Sequence, residues 1–222
     1  MKCKYCGKSF ASERTLAVHM CPKKQRFTEK DLTHVRLGLR AFQMFYELST
    51  NATKIKTFDD FANSQYYMSF VKYGRKLAKE DLLHPEKYTE YCIKNSVKLK
   101  LWTSDTTYTK YLNQYVKKEP ALKAIERTIL TMTEWGKEHN TDLQNYFKQV
   151  TTPLAVFHIK AGKISPWLMF LTESGQGLWT KFNKEQIDMI KDIADPVFWR
   201  DLFRKNPEEV QTVQEIGEQA NI

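Results

Sequence analysis

The chain is poor in several things that would have named a function at once. Only four of its 222 residues are cysteine, too few for a disulfide-stapled secreted scaffold. No apolar stretch follows the first methionine, which predicts no signal peptide and an intracellular protein, in a host cytoplasm if the source is viral, rather than a secreted one. No window approaches the roughly twenty apolar residues of a membrane span, so no membrane partner is expected. Alternating strand patterns are scarce. There is no GxGxxG, no phosphate-binding loop, no nucleophile elbow and no repeated acid–histidine set of the kind nucleases use. These absences remove the motif-bearing enzyme classes but leave open an enzyme whose residues meet only in space.

What is present is unevenly placed. Three of the four cysteines, Cys3, Cys6 and Cys21, fall in the first twenty-one residues beside His19. The net charge is +9, and residues 1–40 supply +7 of it, from ten Lys/Arg against three acids. From Pro207 onward there are four Glu and no base. A basic N-terminus favours a polyanionic partner. An acidic tail, or the helical body before it, suits a protein partner, and the tail also competes with nucleic acid for the basic face.

Helical signals fill the rest. "TEKD" (Thr28 to Asp31) reads as a capping box opening a long run with Leu32, Val35, Leu39, Phe42 and Tyr46 at helical spacing. "TFDD" (Thr57 to Asp60) is a second cap. Pro85 suits a first helical turn, and Asp105 can cap the run through Tyr108, Tyr111, Leu112 and Tyr115. Pro120 starts a helix with Leu122, Ile125, Ile129, Met132 and Trp135 on its core side. Further helices are predicted over 153–161, closed by Gly162, over 165–171, from the Asn183 cap, and from "DPVFWRDLF". "ESGQG" reads as a turn. The tail from Pro207 has few large apolar residues and is expected to fray. The tyrosines of "YTEYCIKNSVKLKLW" and "YTKYLNQYVKK" recur at helical spacing, which favours core packing over base stacking. The fold class is thus all-α: an irregular multi-helix domain at 28–206, preceded by a small finger at 1–22 (short hairpin plus helix) and a basic linker at 23–27, and followed by the tail at 207–222.

The motif is Cys3-x2-Cys6, twelve residues, then His19, with Phe10 and Leu16 between. It resembles the Cys2His2 zinc finger, Cys-x2-Cys-x3-Phe-x5-Leu-x2-His. The resemblance implies a hairpin knuckle that presents two thiolates and a short helix that presents an imidazole. Phe10 and Leu16 would form a core too small to fold unaided. Zn2+ supplies the missing free energy, roughly 10–16 kcal/mol in apparent terms for finger peptides.

The family's second histidine is absent, and Cys21 follows His19 after one residue. On a continuous helix such residues point about 200° apart, so joint ligation requires the helix to end near Met20, which Pro22 favours. The predicted site is Cys3, Cys6, His19 and Cys21. By resemblance, Ser12, Thr15 and Val18 would face DNA bases, with Arg14 beside them the one natural guanine reader. One finger covers about three base pairs, so attachment to phosphates through Lys4, Lys8, Arg14, Lys23, Lys24 and Arg26, continued by Arg36 and Arg40, is the better expectation.

The knuckle, the basic linker, and an aromatic helical body with segments such as "FDDFANSQYYMSFVKYGRKL" and "ISPWLMFLTESGQ" together resemble uncharacterised proteins of T4-like tailed phages. That resemblance implies a viral DNA-handling or assembly setting and no particular activity. Three readings follow. The first is a zinc-containing accessory protein that binds double-stranded DNA. The second is a protein–protein adaptor or virion component with a purely structural zinc. The third is a nuclease or base-processing enzyme.

Overall fold

A computed structural model describes residues 1–50 and 54–222. Among them the chain forms fifteen α-helices and two 3₁₀ turns, and its only β feature is an isolated antiparallel bridge between Lys2 and Ser9. The all-α class is therefore as expected. No described helix is long and apolar enough to cross a membrane. The chain divides into two compact units, Met1–Tyr108 and Thr109–Ile222. The finger, the expected linker and the first part of the expected body thus fall within one unit.

In the first unit, α1 (Glu13–Val18) and α2 (Pro22–Thr28) precede α3 (Thr33–Thr50), α4 (Phe58–Asn63), α5 (Tyr67–Lys79) and α6 (Pro85–Lys94). A 3₁₀ turn, Leu99–Leu101, leads to α7 (Asp105–Val116). Helices α3 and α5 cross with glycine on both sides. A methyl group on Gly74 would lie 2.0 Å from the His34 carbonyl oxygen, and one on Gly38 would lie 2.7 Å from that of Phe70. Only bare backbone allows so close an approach.

Aromatic rings fill the space beside this crossing. Phe42 packs on Phe61 and Phe70 at centroid distances of 5.1 and 5.5 Å, and Trp102 meets Tyr73 at 5.2 Å. The polar ends of these rings are satisfied. The Trp102 indole N–H donates to the Val97 carbonyl at 3.0 Å, Tyr88 donates to that of Trp102 at 2.8 Å, and the Tyr73 hydroxyl pairs with Thr89 at 2.9 Å. Each buried large apolar side chain contributes about 1.5–3 kcal/mol. Lys76 buries its stem among them and brings its ammonium to Glu80 and Asp105 at 2.6 and 2.8 Å, as long cationic side chains do at a core edge.

Helix starts follow the predicted caps in several places. Thr57 and Asp60 form a reciprocal capping box, as do Asn183 and Gln186. Pro85 opens α6 and Asp195 caps α14 (Pro196–Lys205). Other expectations are corrected. "TEKD" is not a helix start: Pro22 begins α2 earlier, Thr28 is its last residue, and the Thr28 hydroxyl donates back to the Lys24 carbonyl at 3.0 Å. Residues 23–27, expected as a linker, are accordingly helical. Leu32 and Leu122 are exposed, while Val35, Phe42, Ile125 and Met132 are buried.

The second unit continues through α8 (Ala121–Glu138), a 3₁₀ turn at Leu143–Asn145, α9 (Tyr146–Gln149), α10 (Thr152–Lys160), α11 (Pro166–Leu171), α12 (Glu173–Trp179), α13 (Lys184–Ile190), α14 and α15 (Pro207–Gln219). "ESGQG" lies in α12. Thr172 caps that helix, and Gly175 is needed because a methyl there would sit 2.4 Å from the Leu168 carbonyl oxygen. The tail forms α15, which packs on α8 and α11 with Val213 fully buried. Gly217 brings that helix against the Thr172 methyl, 2.8 Å from where a side chain would begin. Within this unit Arg127 is ion-paired with buried Glu119 and donates to the Gly162 carbonyl at 2.6 Å. Trp167 packs against Trp199 and Phe203.

Candidate metal centre

The first ten residues form a tight knuckle. The Cys3 N–H donates to the Lys8 carbonyl at 2.9 Å, the Gly7 N–H to that of Cys3 at 2.8 Å, and the Phe10 N–H to that of Met1 at 2.7 Å. Gly7 has φ +73°, a left-handed conformation that a residue with a Cβ adopts only at a cost. It turns the chain so that both thiols face the same side. Ser12 then caps α1, its hydroxyl accepting from the Thr15 N–H at 3.3 Å.

Helix α1 is only six residues long and ends at Val18, two residues before the expected stop. His19 is already extended, with ψ 122°, and Cys21 is extended with ψ 160°. The angular conflict between positions two apart on a helix therefore does not arise. Lys24 keeps the helix closed: its ammonium donates to the carbonyls of Ala17 and His19 at 3.1 and 2.9 Å, groups that a helix end leaves without partners. Cys21 caps α2, its sulfur accepting from the Lys24 N–H at 3.4 Å.

The result is a cluster of four donor atoms, three sulfurs and one imidazole nitrogen, all within 4.8 Å of one another. The Cys6 Sγ to His19 Nε2 distance is 3.3 Å. A tetrahedron with metal–sulfur bonds of about 2.3 Å and a metal–nitrogen bond of about 2.0 Å has edges of about 3.5–3.8 Å. The spacing and the soft donor set thus fit a closed, four-coordinate metal site of the structural kind. Cys3 and Cys21 are buried, and the His19 ring packs on Phe10 at 4.5 Å.

The thiols differ in their surroundings. The backbone N–H of Cys6, helped by that of Tyr5, holds Cys3 below the ordinary thiol value. The Lys8 N–H favours the Cys6 thiolate, yet desolvation and the other two thiols outweigh it and raise Cys6. A bound divalent cation reverses that repulsion. The fourth cysteine, Cys92, belongs to a different environment. It is buried beside Tyr88, and that burial pushes its thiol up to about 12.

The basic residues are less uniform than their sequence suggests. Lys4, Lys8, Arg14 and Lys23 are exposed and carry no ion pair among the described residues, although Lys4 and Lys8 lie over the rings of Tyr5 and Phe10. Lys24 is occupied as described. Arg26 donates to the Ala62 carbonyl at 2.6 Å and stacks on Tyr67 at 4.4 Å. Arg36 is exposed, and exposed Arg40 lies 3.8 Å from Glu86. Ser12 and Thr15 hydrogen-bond each other, while Val18 is 78% exposed. Two contributors were missed by sequence reasoning, Tyr5 and Phe27. Their rings meet at 5.2 Å, and Phe27 in turn meets Phe58 at 5.2 Å, which seats the knuckle against α2 and α4.

No family model, curated protein or solved structure matches the chain, so the resemblance to tailed-phage proteins gains no support from known relatives.

Proposed function

We propose that this protein is an intracellular accessory factor that binds nucleic acid, as duplex DNA, through a zinc-held N-terminal module. The observation that carries the reading is the set of exposed cations on and next to that module that form no ion pair among the described residues: Lys4, Lys8, Arg14 and Lys23. Zinc is the metal that best suits three thiolates and an imidazole in a closed site. Cations free of carboxylate partners release counterions from a phosphate backbone at little cost. With Lys24 and Arg26 bonded within the chain and Arg40 beside Glu86, the contact falls on those four, continued by Arg36, rather than on the whole basic run.

Binding to several unrelated duplexes across a salt series tests this. Each lost phosphate contact lowers the slope of log affinity against log salt by about 0.9, so replacing Lys4, Lys8 and Lys23 by Ala is expected to lower it by up to about 2.7, equally on all sequences. Arg14→Ala is expected to cost about 1–3 kcal/mol on preferred sites alone. Absence of duplex binding above background at low salt would overturn the reading. The adaptor alternative would then lead, favoured by the exposure of Val18 (78%) and Met20 (57%) on the same module. Its interface would show little salt dependence.

A further inference from the structure

A cleft of about 430 Å3 opens beside the metal centre, lined by Lys4, Tyr5, Lys23, Phe27, Asp59 and Asn63. It lies within the first unit, between the knuckle, α2 and α4. Its volume is in the range of small-ligand sites. Three chemistries meet in it. Tyr5 and Phe27 supply aromatic surface, and both rings are only part-buried. Lys4 and Lys23 supply two exposed ammonium groups. Asp59 supplies a carboxylate whose only side-chain hydrogen bond among the described residues comes from Asn63, at 3.2 Å to one oxygen.

Asp59 is not needed to start its helix. Thr57 and Asp60 already satisfy the first turn of α4 reciprocally, with the Thr57 N–H donating to Asp60 at 2.8 Å and the Asp60 N–H to Thr57 at 3.2 Å. A spare acid facing two lysines across an aromatic cleft without pairing to either is an arrangement that repels phosphate at one end and attracts it at the other.

The geometry points to a binding site for one unpaired guanine base, with its flanking phosphates on Lys4 and Lys23. The base stacks on the Tyr5 ring, displacing the flexible Lys4 side chain that lies 5.0 Å from its centre. Stacking on aromatic side chains is how unpaired bases are held. Guanine is chosen by hydrogen bonding. Its N1–H and exocyclic N2–H are adjacent donors that match both oxygens of a carboxylate. Adenine and cytosine each offer a single amino group beside an acceptor, and thymine offers one N–H flanked by carbonyls that repel the acid. The inference rests on the nucleic-acid reading above and adds to it a single-stranded component and a base preference.

The test uses the full-length, zinc-loaded protein and fluorescein-labelled pentadeoxynucleotides: pentathymidylate, the same strand with a central guanine, and the same strand with central inosine, which lacks the N2 amine. A duplex is measured alongside at low salt. The guanine strand is expected to bind about tenfold more tightly than pentathymidylate, with inosine between them. Asp59→Asn, an exposed and nearly isosteric change, is expected to abolish the guanine preference without weakening pentathymidylate binding. Equal affinity for the three strands, or a guanine preference that survives in Asp59→Asn, would overturn the cleft assignment while duplex binding left the wider reading intact. If neither strands nor duplex bind, both fall. The inosine comparison varies the ligand alone and so stands whatever the variant's stability.

Discussion

Residues 1–21 and the α3–α5 pair hold their shapes by different means. In the first, the only buried side chains are Cys3 and Cys21; there is almost no apolar core, and the chain is instead gathered around four donor atoms that could hold a metal. In the second, Gly38 and Gly74 let two backbones touch and Phe42, Phe61, Phe70 and Trp102 close the space beside them. One region is built around donor atoms, the other around shape. The two are joined through the rings of Tyr5, Phe27 and Phe58, and experiments can ask how far they depend on each other.

The largest effect is expected from the metal. Zinc in such sites contributes about 10–16 kcal/mol in apparent terms, so a strong chelator should unfold residues 1–21 and leave α3–α6 helical. Elemental analysis should find one zinc per chain, and Cys21→Ser should lose most of it. Thiol counting follows the same event: the loaded native protein should alkylate slowly, the chelated protein should expose Cys3, Cys6 and Cys21, and Cys92 should react only after denaturation because burial pushes its thiol up to about 12. Circular dichroism that collapses entirely on chelation would instead make the two regions one cooperative body.

Gly74→Ala strikes the other side of the comparison. The added methyl meets the His34 carbonyl oxygen at 2.0 Å and the Gly38 nitrogen at 2.8 Å. Backbone cannot yield as a side-chain tip can, so a loss of about 3 kcal/mol is expected, read by chemical denaturation with zinc content unchanged. Wild-type stability in this variant would mean that the two helices do not cross as described.

The smallest expected effect is acid sensitivity in the shape-held region. Asp60 is held below its ordinary value of 3.8 by the Thr57 N–H and hydroxyl, and Asp105 by the Lys76 ammonium. Folding therefore favours the ionised forms. Their stabilisation is present above about pH 4 and fades as pH falls through 3.8 toward the lowered folded values. Denaturation midpoints of Asp60→Asn and Asp105→Asn should differ from wild type at pH 7, and the gap should narrow as pH falls below 3.8. An unchanged gap at acid pH would show that folding lowers the pKa of neither carboxylate.

The legible parts of the sequence were those fixed by local chemistry. The Cys3, Cys6, His19 and Cys21 spacing, the Thr57 and Asn183 caps and the prolines at helix starts all act within a few residues. What could not be read depends on contacts distant in sequence. Gly175 looks like a turn residue, but it is glycine because the Leu168 carbonyl lies against it. The segment after Pro207 looks too polar to fold, yet Val213 is buried and Gly217 meets Thr172; small-residue packing leaves no hydrophobic signal. "TEKD" has a capping pattern, but Cys21 and Pro22 start a helix first and Thr28 ends it. Lys24 and Arg26 count as charge in a sequence, and only the fold shows them bonded to carbonyls.

Trp102 has one more consequence. The chain has five tryptophans, and Trp102 alone lies in the first unit, where its indole is fully buried against Phe70 and Tyr73. With the other four replaced by phenylalanine, its emission becomes a private optical channel for that unit. Excitation absorbed by Tyr73, with its ring centre 5.2 Å away, transfers to it efficiently. Loss of that transfer reports the opening of the aromatic cluster in real time, without a label.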